Sequence, residues 1–182
     1  MKRVALFLAN GFEETEALGS LDVLRRAEIQ TDTVSISQKK EVTGAHGITV
    51  LADYIFSELD YSAFDVLVLP GGMPGAKHLN EHEGLKTLLK TFVEQGKQVA
   101  AICAAPIVLG GLHLLEGKKA TAYPGYEAQL IGAETTGEAV VVDGNIVTGK
   151  GPGLVFNFAL QLVEEIAGKA IRDKVARGLL LA

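Results

Sequence analysis

The chain reads as an α/β protein built on a mainly parallel sheet with helices on both faces. Short, continuously apolar runs, the signature of strands buried on both sides, predict the sheet. Amphipathic helical stretches alternate with those runs along the 182 residues, which predicts the covering layers. Segments rich in Gly, Pro or carboxylates follow several runs, where open parallel sheets gather their sites, near the carboxyl ends of the strands.

In chain order, "RVALFLA" is the first strand. Its apolar core "VALFLA" is too short for a secretory leader and is closed by Asn10-Gly11. "EETEALGSLDVLRRAE" follows as a helix with Ala17, Leu18, Leu21, Leu24 and Ala27 on one apolar side. "TDTVSIS" is a second strand, and a less regular stretch leads to a further one in "HGITVLAD". "FDVLVLP" is a buried strand cut off by Pro70 and "GGMPGA". Residues 83–95 form a helix, "QVAAIC" a strand, and Pro106 to Leu114 a helix again. "EAVVVDGNIVTG" predicts a hairpin around Asp143-Gly144-Asn145. Two closing helices lie in "LVFNFALQLVEEIAG" and "AIRDKVARGLLLA".

A chain of this length with no repeat or long linker is expected to be one domain, residues 1–182. A net charge of −5 without a Lys/Arg cluster argues against nucleic acid and anionic membranes as partners. No apolar run has the length of a membrane span, and the expected location is the cytoplasm. One cysteine rules out an internal disulfide. An oxidised Cys103 would therefore meet a second molecule or proceed to the sulfinate.

Cys103 ends "VAAI" and precedes "AAPIVLGGL", a strand turning into a helix. Such an elbow needs small residues two positions either side of a nucleophile, and Ala101 and Ala105 supply them. Pro106 suits the first turn of the helix, whose N-terminus would favour a thiolate and lower its pKa. A buried, inert cysteine is the competing reading of the same residues. Glu13, Glu14 and Glu16 are acceptable as first-turn carboxylates complementing the helix dipole. Alternatively one of them turns inward at the end of the first strand, where desolvation keeps it protonated for acid/base work. Glu16, one position before Ala17, is the best placed.

"PGGMPGA" lacks the G-K-[ST] ending of a phosphate loop and is better suited to presenting backbone amides to an oxyanion. His78 and His82 could share a helix face, but no third ligand accompanies them, so no metal is expected. His46 and His113 are isolated, and no histidine follows Cys103 directly.

"GFEETEA", "LPGGMPGA", "AAICAAP" and "GKGPG", in this order and spacing, resemble the DJ-1/ThiJ branch of the DJ-1/PfpI superfamily over nearly the whole chain. The resemblance is weakest from Lys39 to Leu59 and from Tyr126 to Gly137. It implies a flavodoxin-like three-layer sandwich, a homodimer and a reactive cysteine at the elbow, Cys103. It also implies that Glu16 is the protonated carboxyl bonded to the cysteine sulfur, and that the amides of Gly72 and Ala104 face the same pocket. Tyr123 stands where several relatives have a histidine, and a tyrosine is a poor base at neutral pH. His46 replaces an arginine common near the dimer contact. Ala104, in place of a histidine, argues against the protease-like branch.

Two functions follow as expectations. One is an enzyme for reactive dicarbonyls, a glutathione-independent glyoxalase or a deglycase, needing no cofactor and taking a small carbonyl substrate. The other is a redox sensor or stress chaperone switched by oxidation of Cys103 to sulfinate. A small cysteine hydrolase is a third reading, weakened by the missing adjacent histidine.

Overall fold

The computed structural model describes residues 2–181. Its first strand, β1 (Arg3–Leu8), is buried from Val4 onward, because the sheet is covered on both faces and every side chain must be apolar. Helix α1 (Glu14–Arg26) returns the chain to β2 (Gln30–Ser35). Strands β3 (Glu41–Thr43) and β4 (Thr49–Leu51) form a separate antiparallel ribbon, and β5 (Tyr54–Ile55) rejoins the main sheet. Next come β6 (Val66–Leu69), α2 (Gly75–Glu81), α3 (Glu83–Glu94), β7 (Gln98–Ile102) and α4 (Pro106–Gly111). Strands β8 (Lys119–Ala120) and β9 (Glu134–Thr135) make a short parallel pair. The hairpin β10 (Val140–Asp143) and β11 (Ile146–Gly149) leads into α5 (Val155–Ala167) and α6 (Lys169–Gly178).

The main sheet has seven strands in the order β10-β11-β7-β6-β1-β2-β5. All its pairs are parallel except β10 with β11, which the Asp143-Gly144-Asn145 turn makes antiparallel. The inner order β2-β1-β6-β7-β11 is that of the flavodoxin-like fold. The chain first builds outward from β1 to β2 and then returns to β1's other side with β6. That reversal opens a crevice at the carboxyl ends of β1 and β6, with β7 adjacent. Phe7, Phe12, Phe64, Phe92 and Phe158 are fully buried in the core. Among the described residues no helix is long and apolar enough to cross a membrane.

Local chemistry explains the helix boundaries. In α3, Leu85, Leu89 and Phe92 repeat at helical spacing and face the sheet, while His82 Nδ1 accepts the Leu85 amide proton at 2.9 Å and caps the first turn. Helix α4 stops at Gly111, three residues short of the expected Leu114, because the chain turns through His113 at φ 59°.

The orientation of α1 differs from the expected one. Leu18 is 37% exposed and Leu21 only half-buried, whereas Glu14, Glu16, Ala17, Ser20, Val23 and Leu24 are buried. Helix α1 packs on α5, where a Cβ on Gly19 would come within 3.2 Å of the Val155 side chain. That close approach turns the polar positions 16 and 20 inward. "HGITVLAD" likewise contains a strand, β4, but it pairs with β3 outside the main sheet.

Candidate active site at the strand-to-helix elbow

Cys103 stands at the carboxyl end of β7 with φ 64°, a left-handed conformation that a side chain adopts at a penalty of about 1–3 kcal/mol. Two backbone bonds hold it there. The Cys103 amide donates to the Gly149 carbonyl at 2.9 Å, and the Cys103 carbonyl accepts from the Tyr123 amide at 2.8 Å. Sharp reversal is also anchored by the Ala105 amide, which donates to the Ile102 carbonyl at 3.0 Å. The residue is only 9% exposed, so its thiol is largely enclosed.

Glu16 approaches from the first turn of α1 and is fully buried. Its Oε2 accepts the Gly71 amide proton at 2.8 Å. Its Oε1 is buried without a hydrogen-bond partner, and the carboxyl faces the Cys103 thiol closely enough for the two groups to influence each other's protonation. Gly71 makes this possible: a Cβ there would lie 2.7 Å from the Cys103 Cβ and 2.8 Å from Glu16 Oε2. The next residue, Gly72, has φ 88° and is packed against the backbone of Gly11, Phe12 and Glu13. The backbone amides of Gly72 and Ala104 lie near the cysteine sulfur and favour its ionised form. Four residues, Glu16 from the first turn of α1, Gly71 and Gly72 after β6, and Ala104 after β7, thus gather around one cysteine.

The electrostatics correct one expectation. The start of α4 was expected to pull the thiol below its ordinary value, but burial pushes Cys103 up to about 12, and the facing Glu16 charge adds to this. The Gly72 and Ala104 amides offset only part of that rise. Burial also raises Glu16 to about 7, opposed by the neighbouring Cys103 thiol and the Gly71 amide. Carboxyl and thiol therefore act as one unit that sheds its first proton near neutrality. The resulting single negative charge rests mainly on Glu16, and a proton transfer from Sγ to the carboxylate yields thiolate and neutral acid together. Glu16 can activate the thiol as a general base whose pKa matches neutral pH.

A pH dependence follows. Below about 7 the unit holds both protons, and as pH rises through that value it loses one. The rate of Cys103 alkylation by iodoacetamide should therefore climb roughly tenfold per pH unit below about 7 and flatten above it. A profile with no inflection near pH 7 would break the link between Glu16 and the thiol.

The other acidic residues of the segment have separate tasks. Glu13 is the N-cap of α1, its amide donating to the Gly71 carbonyl at 2.9 Å. Glu14 is buried and accepts from the His46 amide and the His46 ring Nδ1, both at 2.8 Å, which fastens the β3–β4 ribbon to α1. Those hydrogen bonds hold Glu14 below the usual carboxylate range against the opposing effect of burial, and the Glu14 bond raises His46. Glu13, Glu14 and His46 have donor atoms within 4.8 Å of one another and could together hold a cation.

The remaining histidines have local partners. His82 caps α3, the His78 ring meets the Asn10 carbonyl at 2.9 Å, and His113 pairs with Glu116 at 2.7 Å. A surface hollow of about 730 Å³ lies between α5, α6 and β10 and shares no residue with the elbow. It contains no nucleophile. Among the residues that sequence reasoning missed, Gly71 is the most consequential. Its signal in the sequence is a glycine between Pro70 and Gly72, directly after a buried strand at the sheet's reversal point. The pairing of Glu14 with His46 is not legible locally, because the two are 32 residues apart.

The backbone at Gly72 admits no side chain. A methyl group would overlap main-chain atoms of Phe12 and Glu13, which cannot swing away, at a φ that already disfavours it. Gly72→Ala should lower unfolding free energy by about 3 kcal/mol or more, read from urea denaturation, and a loss under about 1 kcal/mol would show that the loop can relax.

These features define the class: an α/β sandwich with a cysteine at a nucleophile elbow, facing a buried carboxyl. The DJ-1/PfpI family model matches residues 2–165, and the chain belongs to that family. Protein DJ-1 homolog A of Arabidopsis thaliana is 39% identical over 99% of this chain, which spans 47% of that relative's length. Deglycase TK1284 of Thermococcus kodakarensis is 35% identical, with 89% of this chain and 98% of that protein covered. Among solved structures, oxidised DJ-1 of Toxoplasma gondii superposes with a TM-score of 0.96 at 37% identity, over 100% of both chains.

Proposed function

We propose that this protein is a cysteine-dependent enzyme for reactive dicarbonyls, converting α-oxoaldehydes such as methylglyoxal to 2-hydroxy acids without glutathione. The observation that carries the reading is the buried Glu16–Cys103 pair, in which one group is a nucleophile and the other titrates near neutrality. As Sγ attacks the aldehyde carbon, Glu16 takes the thiol proton. The developing oxyanion is met by the amides of Gly72 and Ala104, then takes that proton to give the hemithioacetal. Glu16, again ionised, removes the hydrogen from the aldehyde carbon to form an enediol and returns it to the neighbouring carbon. The product is a thioester of lactate on Cys103, which water cleaves to lactate and free thiol. The relative named a deglycase supports chemistry on carbonyl adducts, and deglycation is the secondary form of the reading.

Lactate formation from methylglyoxal by the reduced protein, without glutathione, tests it. Turnover is expected. Its absence in folded, reduced protein removes methylglyoxal as substrate.

A second reading, a redox sensor, is favoured by two specific observations. Cys103 is the chain's one cysteine, and a solved relative is described as oxidised. Oxidation to sulfinate would place a negative group among the Gly72 and Ala104 amides, with neutral Glu16 donating to it.

We place the protein in the cytoplasm as a homodimer. Leu18, Ile48 and Leu51 on α1 and the β3–β4 ribbon are exposed at 37, 53 and 70%, an apolar surface suited to a second copy. Sedimentation should give twice the 19.2 kDa chain mass.

A further inference from the structure

We propose that Tyr123 is a specificity-determining residue, forming with Met73 an apolar rim that favours α-oxoaldehydes carrying a planar, apolar substituent over methylglyoxal. This rests on the dicarbonyl reading above and names the substrate class within it. The argument begins with the direction of approach. Beneath the sulfur, the space is closed by Gly71, whose position touches the Cys103 Cβ, Glu16 and the Ile102 carbonyl. With the residue only 9% exposed and its thiol largely enclosed, an aldehyde must reach Sγ from the side away from Gly71. The second carbonyl and its substituent must then extend outward across the rim.

Two large apolar side chains stand in the segments that make that rim. Met73 adjoins Gly72, whose amide lies near the sulfur, and is 46% exposed. Tyr123 is joined to the Cys103 carbonyl through its amide at 2.8 Å and is 45% exposed. The tyrosine ring is fixed rather than free. It lies over Gly151, where a Cβ would come within 3.1 Å of its Cδ2. Tyr126 meets it in an edge arrangement, centroids 6.4 Å apart and planes at 71°. Held by those two neighbours and still nearly half exposed, the ring offers a flat apolar surface on the residue whose amide holds the Cys103 carbonyl. A phenyl group can stack on such a surface, whereas a methyl group gains little.

The test compares kcat/KM for phenylglyoxal and methylglyoxal, following mandelate and lactate. The wild type should prefer phenylglyoxal. In Tyr123→Ala its kcat/KM should fall by roughly tenfold while that for methylglyoxal changes less than about twofold. Tyr123→Phe should keep the preference, because the ring and not the hydroxyl supplies it. Tyr123→Leu, apolar but not planar, should lose most of it, and provides the same ratio if the alanine variant is poorly folded. Equal losses on both substrates, or an unchanged ratio, overturn the role of Tyr123 and leave the dicarbonyl reading standing. No turnover of either aldehyde by folded wild type overturns both.

Discussion

Cys103→Ser will abolish lactate formation from methylglyoxal, by at least roughly a thousandfold in kcat, while leaving the fold intact. The reason lies in the match between nucleophile and base. A base that titrates at about 7 can take the proton of a thiol even when burial has raised that thiol, because sulfur is intrinsically nucleophilic and its anion soft. A serine hydroxyl holds its proton far more tightly, and the fixed carboxylate of Glu16 is too weak a base to remove it. Sterically the exchange is mild. Oxygen replaces sulfur at the same left-handed backbone position, so the strain at φ 64° and the bonds to Gly149 and Tyr123 remain. Circular dichroism and urea denaturation should show a protein within about 1 kcal/mol of wild type, which separates lost chemistry from lost structure. Residual turnover near the wild-type level would place the reaction elsewhere.

The elbow was readable in sequence because its ingredients are local. Small residues at 101 and 105, a proline at 106 and a strand-to-helix change surround one cysteine within a few positions. The alternating elements that set the sheet are likewise written in short windows, and so is the β10–β11 turn. What was not readable depends on approach between distant segments. The inward rotation of α1, which buries Ser20 and exposes Leu18, follows from Gly19 packing on Val155 in α5. No helical periodicity within α1 contains that contact. The same limit hid Gly71, whose missing side chain matters only because Cys103 and Glu16 converge on it from other elements.

The thiol pKa shows a further limit, one of magnitude. A helix N-terminus and two amides do favour a thiolate, as the sequence suggests. Enclosure by the core and a facing carboxylate oppose them more strongly, and that balance is three-dimensional. The consequence for the proposed mechanism is chemical: activation there depends on proton transfer within the Glu16–Cys103 pair rather than on a permanently ionised sulfur.

That dependence gives Glu16→Gln the second large effect. Glutamine keeps an oxygen to accept the Gly71 amide proton, so the shape of the site is preserved. It cannot accept a proton from the thiol or move one between carbons, and kcat should fall by about 10² to 10⁴. The alkylation profile should lose its inflection near 7. Removing the Glu16 charge relieves part of the rise in the thiol, but burial remains, and Cys103 should still titrate above its ordinary value. Stability provides an independent check. In the wild type the folded state holds the Glu16 proton up to about 7, while the unfolded chain releases it near 4.5. Stability contributed by that proton is therefore complete below 4.5 and drains away as pH rises to about 7, a loss on the order of 3 kcal/mol. Glu16→Gln carries no such proton and should lack this decline, so its stability relative to wild type should improve between pH 4.5 and 8. A variant that gains relative stability at high pH while losing turnover would tie both effects to one buried carboxyl. One that loses turnover with no change in pH dependence would show that Glu16 is ionised throughout and serves only to position the cysteine.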